Sequence, residues 1–178
     1  DKIYAEKFDW SGENNHLGRL IAATQLINHL ADLKKSMSPH HRILMVGHSH
    51  GGNVLAMLSL LHHAERSKVT AFFQQLSALT ENIRQGSDNR DIWSDANALL
   101  LKEDALPQYD IITMGTPYYG SKFTWLALVT PLGYYWKDVW QMRPGSRLLK
   151  IIAKFKIPNT LQIFCFHSNK DKVVTGKK

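Results

Sequence analysis

With 178 residues, 44% of them hydrophobic and 21% charged, the chain is large enough to close a core and too apolar to be a disordered segment. Its formal charge of +7 is spread along the sequence, with small clusters at Lys34-Lys35 and Lys177-Lys178 but no long basic block and no nucleic-acid-binding motif, so a nucleic-acid partner is not expected. A lone cysteine, Cys165, excludes an internal disulfide scaffold, and no uninterrupted apolar run reaches the ~18 residues of a membrane span.

The first residues, Asp1 to Tyr4, have neither an initiator Met nor an apolar signal core and read as the interior of a longer polypeptide, with no compartment signal. Ile3 to Trp10 alternates enough to predict a strand, closed by Ser11-Gly12. From Asn14 to Lys35, apolar residues such as Leu17, Leu20, Ile21, Ile27 and Leu30 recur at helical spacing and predict a long amphipathic helix. Ser36 to His41, with Pro39, is the turn into the next element.

Arg42 to Gly52 reads RILMVGHSHGG, an apolar run followed by a glycine-flanked serine, and a helix is predicted from Gly51 or Gly52 to Ala64. Strand, tight turn and helix in that order are the setting of a nucleophile elbow, in which the serine adopts a strained backbone and its hydroxyl points out of the carboxyl edge of a sheet. Ser49 is therefore the candidate nucleophile. Gly47 and Gly51 are expected to be glycine because side chains there would collide with the neighbouring strand and helix. Two strand-to-helix units in succession imply parallel strands joined by crossovers, hence an α/β fold with a mainly parallel sheet flanked by helices.

Residues 68–106 are polar and mostly helical in pattern, with a break at Gly86-Ser87-Asp88-Asn89, and are too long for an ordinary helix-to-strand link. They read as a helical insertion. Tyr109 to Met114 predicts the next buried strand. Residues 121–143 hold Phe123, Trp125, Tyr135, Trp136 and Trp140, which suit either an ordinary core segment or a cap lining an apolar substrate pocket and opening at a lipid surface. Pro144-Gly145-Ser146 is a turn, with Ser146 placed to cap the helix RLLKIIAKF, and Thr160 to Phe166 predicts a final strand in which Cys165 is expected as a small buried hydrophobe.

Six of the nine histidines, His40, His41, His48, His50, His62 and His63, crowd one part of the chain. His48 and His50 flank the turn and share no regular face with His62 and His63, so these rings are expected to be solvated or structural, and neither a metal nor a cofactor is expected.

In sum these elements resemble the lipase branch of the α/β-hydrolase fold, including bacterial, LCAT-like and GPI-deacylase-like serine esterases. The resemblance rests on FDWSGENN followed by a helix containing Arg19, the elbow GHSHGG, GTPYYGS after the next strand, the turn RPGSRLL, and FHSNKDKVV. It implies a single hydrolase domain over 1–178, with the insertion at 68–106 and the cap at 121–143. It also implies acyl transfer to Ser49 from an ester or lipid substrate, with peripheral contact at a lipid interface. Asp171 takes the role of triad acid, and the backbone N–H of His50 that of an oxyanion donor. Chain order in this fold puts the catalytic histidine after the acid, yet none follows Asp171, and His167 precedes it by four residues and reads as structural. The base and the upstream His-Gly oxyanion segment are thus expected outside these residues, leaving a fragment with about half of the sheet. Among other carboxylates, Asp9 ends an early strand and is a minor candidate. Asp91, Asp95, Asp104 and Asp110 lie in the insertion or at a strand start, away from the carboxyl edge. An acyltransferase or thioesterase using the same serine, and a noncatalytic lipid- or partner-binding domain, are the alternative readings.

Overall fold

A computed structural model describes residues 3–13, 16–81, 89–102, 104–116 and 163–166. In chain order the elements are α1 (His16–Ser36), β1 (Arg42–His48), α2 (His50–His63), α3 (Arg66–Glu81), α4 (Asn89–Leu100), β2 (Gln108–Met114) and β3 (Ile163–Phe166). The three strands form one sheet in the order β1-β2-β3, with both pairings parallel. The chain is therefore an α/β arrangement: a small parallel sheet flanked by helices.

Register assigns the faces. Met45 lies opposite Ile111 and Gly47 opposite Thr113, and these residues share one face with Ile43 and Tyr109. On that face Met45, Tyr109, Ile111 and Thr113 are buried beneath α2, which packs on both β1 and β2. Against α2 packs α1, with α4 against α1 and α3 against α4. The core runs through this stack: Leu20, Ala23, Ile27 and Leu30 on α1 meet Val54, Leu58 and Leu61 on α2, with Trp93 and Ala96 contributed by α4. The predicted helix is present over 21 residues, but its first half is buried nearly all round, Arg19, Ala22 and Thr24 included, so it is not the one-faced amphipathic helix expected. On the other sheet face Leu44, Val46, Met114, Phe164 and Phe166 are exposed.

Two expectations are corrected. Residues 3–10 do not form a strand. Ile3 and Tyr4 are 96% and 85% exposed, and the segment makes no ladder with the sheet. An alternating pattern only defines two faces; a strand also needs an adjacent backbone with which to exchange hydrogen bonds. Cys165 is exposed rather than buried, because β3 is a short strand at the edge of the sheet among the described residues and its burial pattern is open along most of its length.

The helical pattern of 68–106 is realised in α3 and α4. The segment 121–143, the turn at 144–146, His167 and Asp171 lie outside the described residues. No described helix is long and apolar enough to cross a membrane.

Candidate functional site

Ser49 follows β1 directly and precedes the first residue of α2, with φ 50° and ψ −120°. It is one of two described non-glycine residues with positive φ, the other being Asp104. Such a backbone costs on the order of 1–3 kcal/mol for a residue bearing a Cβ, so the surroundings must hold it. One restraint is the continuing ladder: the Ser49 N–H donates to the Met114 carbonyl at 2.9 Å, just as Gly115 N–H donates to Phe166 carbonyl at 2.9 Å one strand over. Another is the helix start, where Gly52 N–H donates to the Ser49 carbonyl at 3.2 Å. The serine is thereby clamped at the carboxyl ends of β1 and β2, half-exposed, at the amino end of α2.

Glycine is demanded at two places in this turn. A Cβ on Gly47 would lie 2.8 Å from the Gly52 nitrogen and 2.9 Å from the Gly51 carbonyl carbon, both backbone atoms unable to move without unseating the helix. A Cβ on Gly52 would lie 1.9 Å from Thr116 Oγ1. Gly51, by contrast, has open space around its Cα and no positive φ, which corrects the expectation that it must be glycine for lack of room. The reason is rotation about α2: residue 52 faces the end of β2, whereas residue 51 faces away from its neighbours. Gly52 and Thr116 are the residues that sequence reasoning missed. The doubled glycine at 51–52, opening a helix directly after a strand, was the available signal.

A groove of about 630 Å³ passes Ser49. It runs beside β1 and is walled by Leu30 of α1, Val54 and Leu55 of α2, and Phe8 and Trp10 of the irregular segment before α1. Glu6 and His29, 3.1 Å apart, form a polar edge. Asp9 is exposed and paired with Lys7 at 2.5 Å. His48 is exposed and His50 half-buried, both next to Ser49 in the chain. Among the described residues no imidazole or carboxylate is hydrogen-bonded to the Ser49 hydroxyl.

Asp104 and Asp110 are placed at the opposite rim. Asp110 takes both ends of the Arg42 guanidinium, with Nη2 to Oδ1 at 2.9 Å and Nε to Oδ2 at 3.2 Å. The Asp104 carbonyl accepts from the Lys34 ammonium, which also donates to the Leu106 carbonyl at 3.2 Å.

His62 and His63 end α2 at that same far rim and share one partner. His62 Nδ1 lies 2.8 Å and His63 Nε2 3.4 Å from the Tyr109 hydroxyl. Burial holds the His62 imidazole well below its ordinary value, to about 4, with the neighbouring His63 and Lys34 charges adding to the effect. Burial likewise lowers His63 and raises the Tyr109 phenol. Both rings are thus neutral near pH 7 and form a structural cluster, away from Ser49. Among the described residues no group of three His, Cys, Asp or Glu side chains could hold a metal ion.

Comparison with family models, with curated proteins and with solved structures finds no match to this chain.

Proposed function

We propose that this chain carries the nucleophile of a serine carboxylester hydrolase of lipase or esterase type, built on an α/β-hydrolase fold. The observation that supports this reading best is the backbone of Ser49: a β-strand, a positive-φ serine and a helix in immediate succession, at the carboxyl edge of a parallel sheet and beside an apolar groove. A strained, half-exposed serine is an unfavourable choice for a simple connection, where glycine would relieve the strain.

In this reading Ser49 Oγ attacks the ester carbonyl carbon while an imidazole takes its proton. The tetrahedral intermediate collapses with expulsion of the alcohol, which receives that proton, and water then cleaves the acyl-enzyme by the same two steps. The His50 backbone N–H, at the amino end of α2, is the donor that this reading assigns to the developing oxyanion, and the helix dipole favours negative charge there. A donor of this kind is worth about 3 kcal/mol in the transition state. Asp171 would orient the imidazole and stabilise its cation. Trp10, Phe8, Leu30 and Val54 give the groove the apolar walls that suit an acyl chain.

The test is covalent labelling of the natural full-length protein by a fluorophosphonate. Labelling that disappears in Ser49→Ala is the expected result. No labelling of the unsubstituted protein would leave a noncatalytic binding domain as the better reading. If labelling is found, partition of the acyl group between water and an added alcohol or thiol separates a hydrolase from an acyltransferase.

A further inference from the structure

Thr116 stands two residues beyond β2, is 6% exposed, and has a buried hydroxyl with no hydrogen-bond partner among the described residues. Its side chain occupies the space that a Cβ on Gly52 would need: that Cβ would lie 1.9 Å from Oγ1 and 2.8 Å from both Cβ and Cγ2. Three atoms of one short side chain therefore abut the first turn of α2. Gly52 is in turn bonded to the Ser49 carbonyl, and Gly47 closes the same turn from the β1 side. The start of α2 is held between two stops: the β1 backbone at Gly47 and the Thr116 side chain at the end of β2.

We propose that Thr116 is a positioning residue for Ser49, acting through Gly52; this rests on the nucleophile reading given above. Its branched side chain sets how closely the first turn of α2 approaches the end of β2. That distance sets the height of the Ser49 hydroxyl and the His50 N–H relative to each other and to the sheet edge. Close packing makes the contact a stop rather than a cushion, since atoms already at van der Waals distance resist compression. A bare Cα at 52 and a compact branched side chain at 116 are complementary halves of one contact, and neither is replaceable alone.

The experiment is a double-mutant cycle in the full-length protein, with the rate constant for fluorophosphonate modification of Ser49 resolved into a binding and a bond-forming part. All measurements are made well below the melting temperature of every variant. Gly52→Ala is expected to slow the bond-forming step about 10- to 100-fold, the range seen when a reacting group is misplaced by about an ångström. Thr116→Gly in the same chain removes the obstructing atoms and is expected to recover most of that loss. A rate unchanged by Gly52→Ala, or a loss of equal size in the Thr116→Gly background, overturns the proposal. Should Gly52→Ala fail to fold, Thr116→Ala decides alone: a slower bond-forming step supports the assignment, and an unchanged one overturns it. An unsubstituted protein that is not labelled defeats the nucleophile reading itself, whereas labelling with an additive cycle defeats only the role of Thr116.

Discussion

The two ends of α2 are built on opposite principles. At its amino end a serine is held in a disfavoured backbone conformation, half-exposed and beside a groove. At its carboxyl end His62 and His63 share the Tyr109 hydroxyl and are partly buried against the start of β2. A helix carboxyl terminus ordinarily favours a protonated histidine. Here desolvation wins, and the His62 pKa falls to about 4. One end is strained with its hydroxyl left available; the other is relaxed with its polar atoms paired. Within one strand–helix unit, one end thus carries backbone strain beside a groove and the other a paired polar cluster.

The largest effect that would sharpen this comparison is expected from Gly47→Ala. Its new methyl group meets two backbone atoms of α2, which cannot give way, besides the Leu55 side chain, so a loss of about 3 kcal/mol or more in chemical denaturation is expected, at the upper end of overpacking effects. A loss below ~1 kcal/mol would mean that the strand and helix can separate freely at the elbow.

Next comes Tyr109→Phe, which leaves both imidazoles without their common partner and should cost about 1–3 kcal/mol by the same measurement. The pH dependence follows from the same cluster. His62 and His63 hold lowered values in the fold against an ordinary value of 6.5, so the unfolded chain binds protons first as the solution is acidified. Stability is therefore full above pH 6.5 and declines as pH falls toward about 4. Tyr109 works in the opposite direction: its raised value makes stability decline as pH rises above 10.0, the ordinary phenol value. Melting temperatures across both ranges, in the parent and in His62→Asn, check the signs, and the substitution should flatten the acid limb.

Ser49→Gly is expected to stabilise the fold by about 1 kcal/mol, because glycine adopts positive φ without the Cβ penalty. A destabilisation would show that the serine side chain itself supports the turn. The smallest effect belongs to Gly51→Ala, expected to fall between neutral and a gain of about 0.5–1 kcal/mol from helix propensity, since nothing opposes its Cβ.

Much of the strand–turn–helix unit from Arg42 to His63 was legible in the amino-acid sequence. An apolar run, a glycine-flanked serine and a helical repeat are local signals, and local backbone preference is enough to order them. The parallel arrangement was expected from two strand-to-helix units, of which only the one at β1 and α2 exists among the described residues; the β1–β2 pairing is parallel because α2, α3 and α4 carry the chain back between the two strands. The extent of α1 along the chain followed from the helical spacing of its apolar residues. Less of the site was legible, because its parts come together from distant points of the chain. Gly51 looked as constrained as Gly47, and only the arrival of Thr116 from the end of β2 shows that the crowded residue is Gly52.

The sequence by itself determined the succession α1, β1, α2 and β2 and the serine at the turn, since these depend on residues within a few positions of one another. Tertiary structure alone decided the rest. Residues 3–10 carry a strand pattern but lack a neighbouring backbone to pair with, Cys165 has an apolar sequence context but sits on an exposed strand, and His62, His63 and Tyr109 become one hydrogen-bonded group only when α2 lies across β2. Burial and pairing are properties of surfaces brought into contact, and no spacing along a single chain encodes which surfaces will meet.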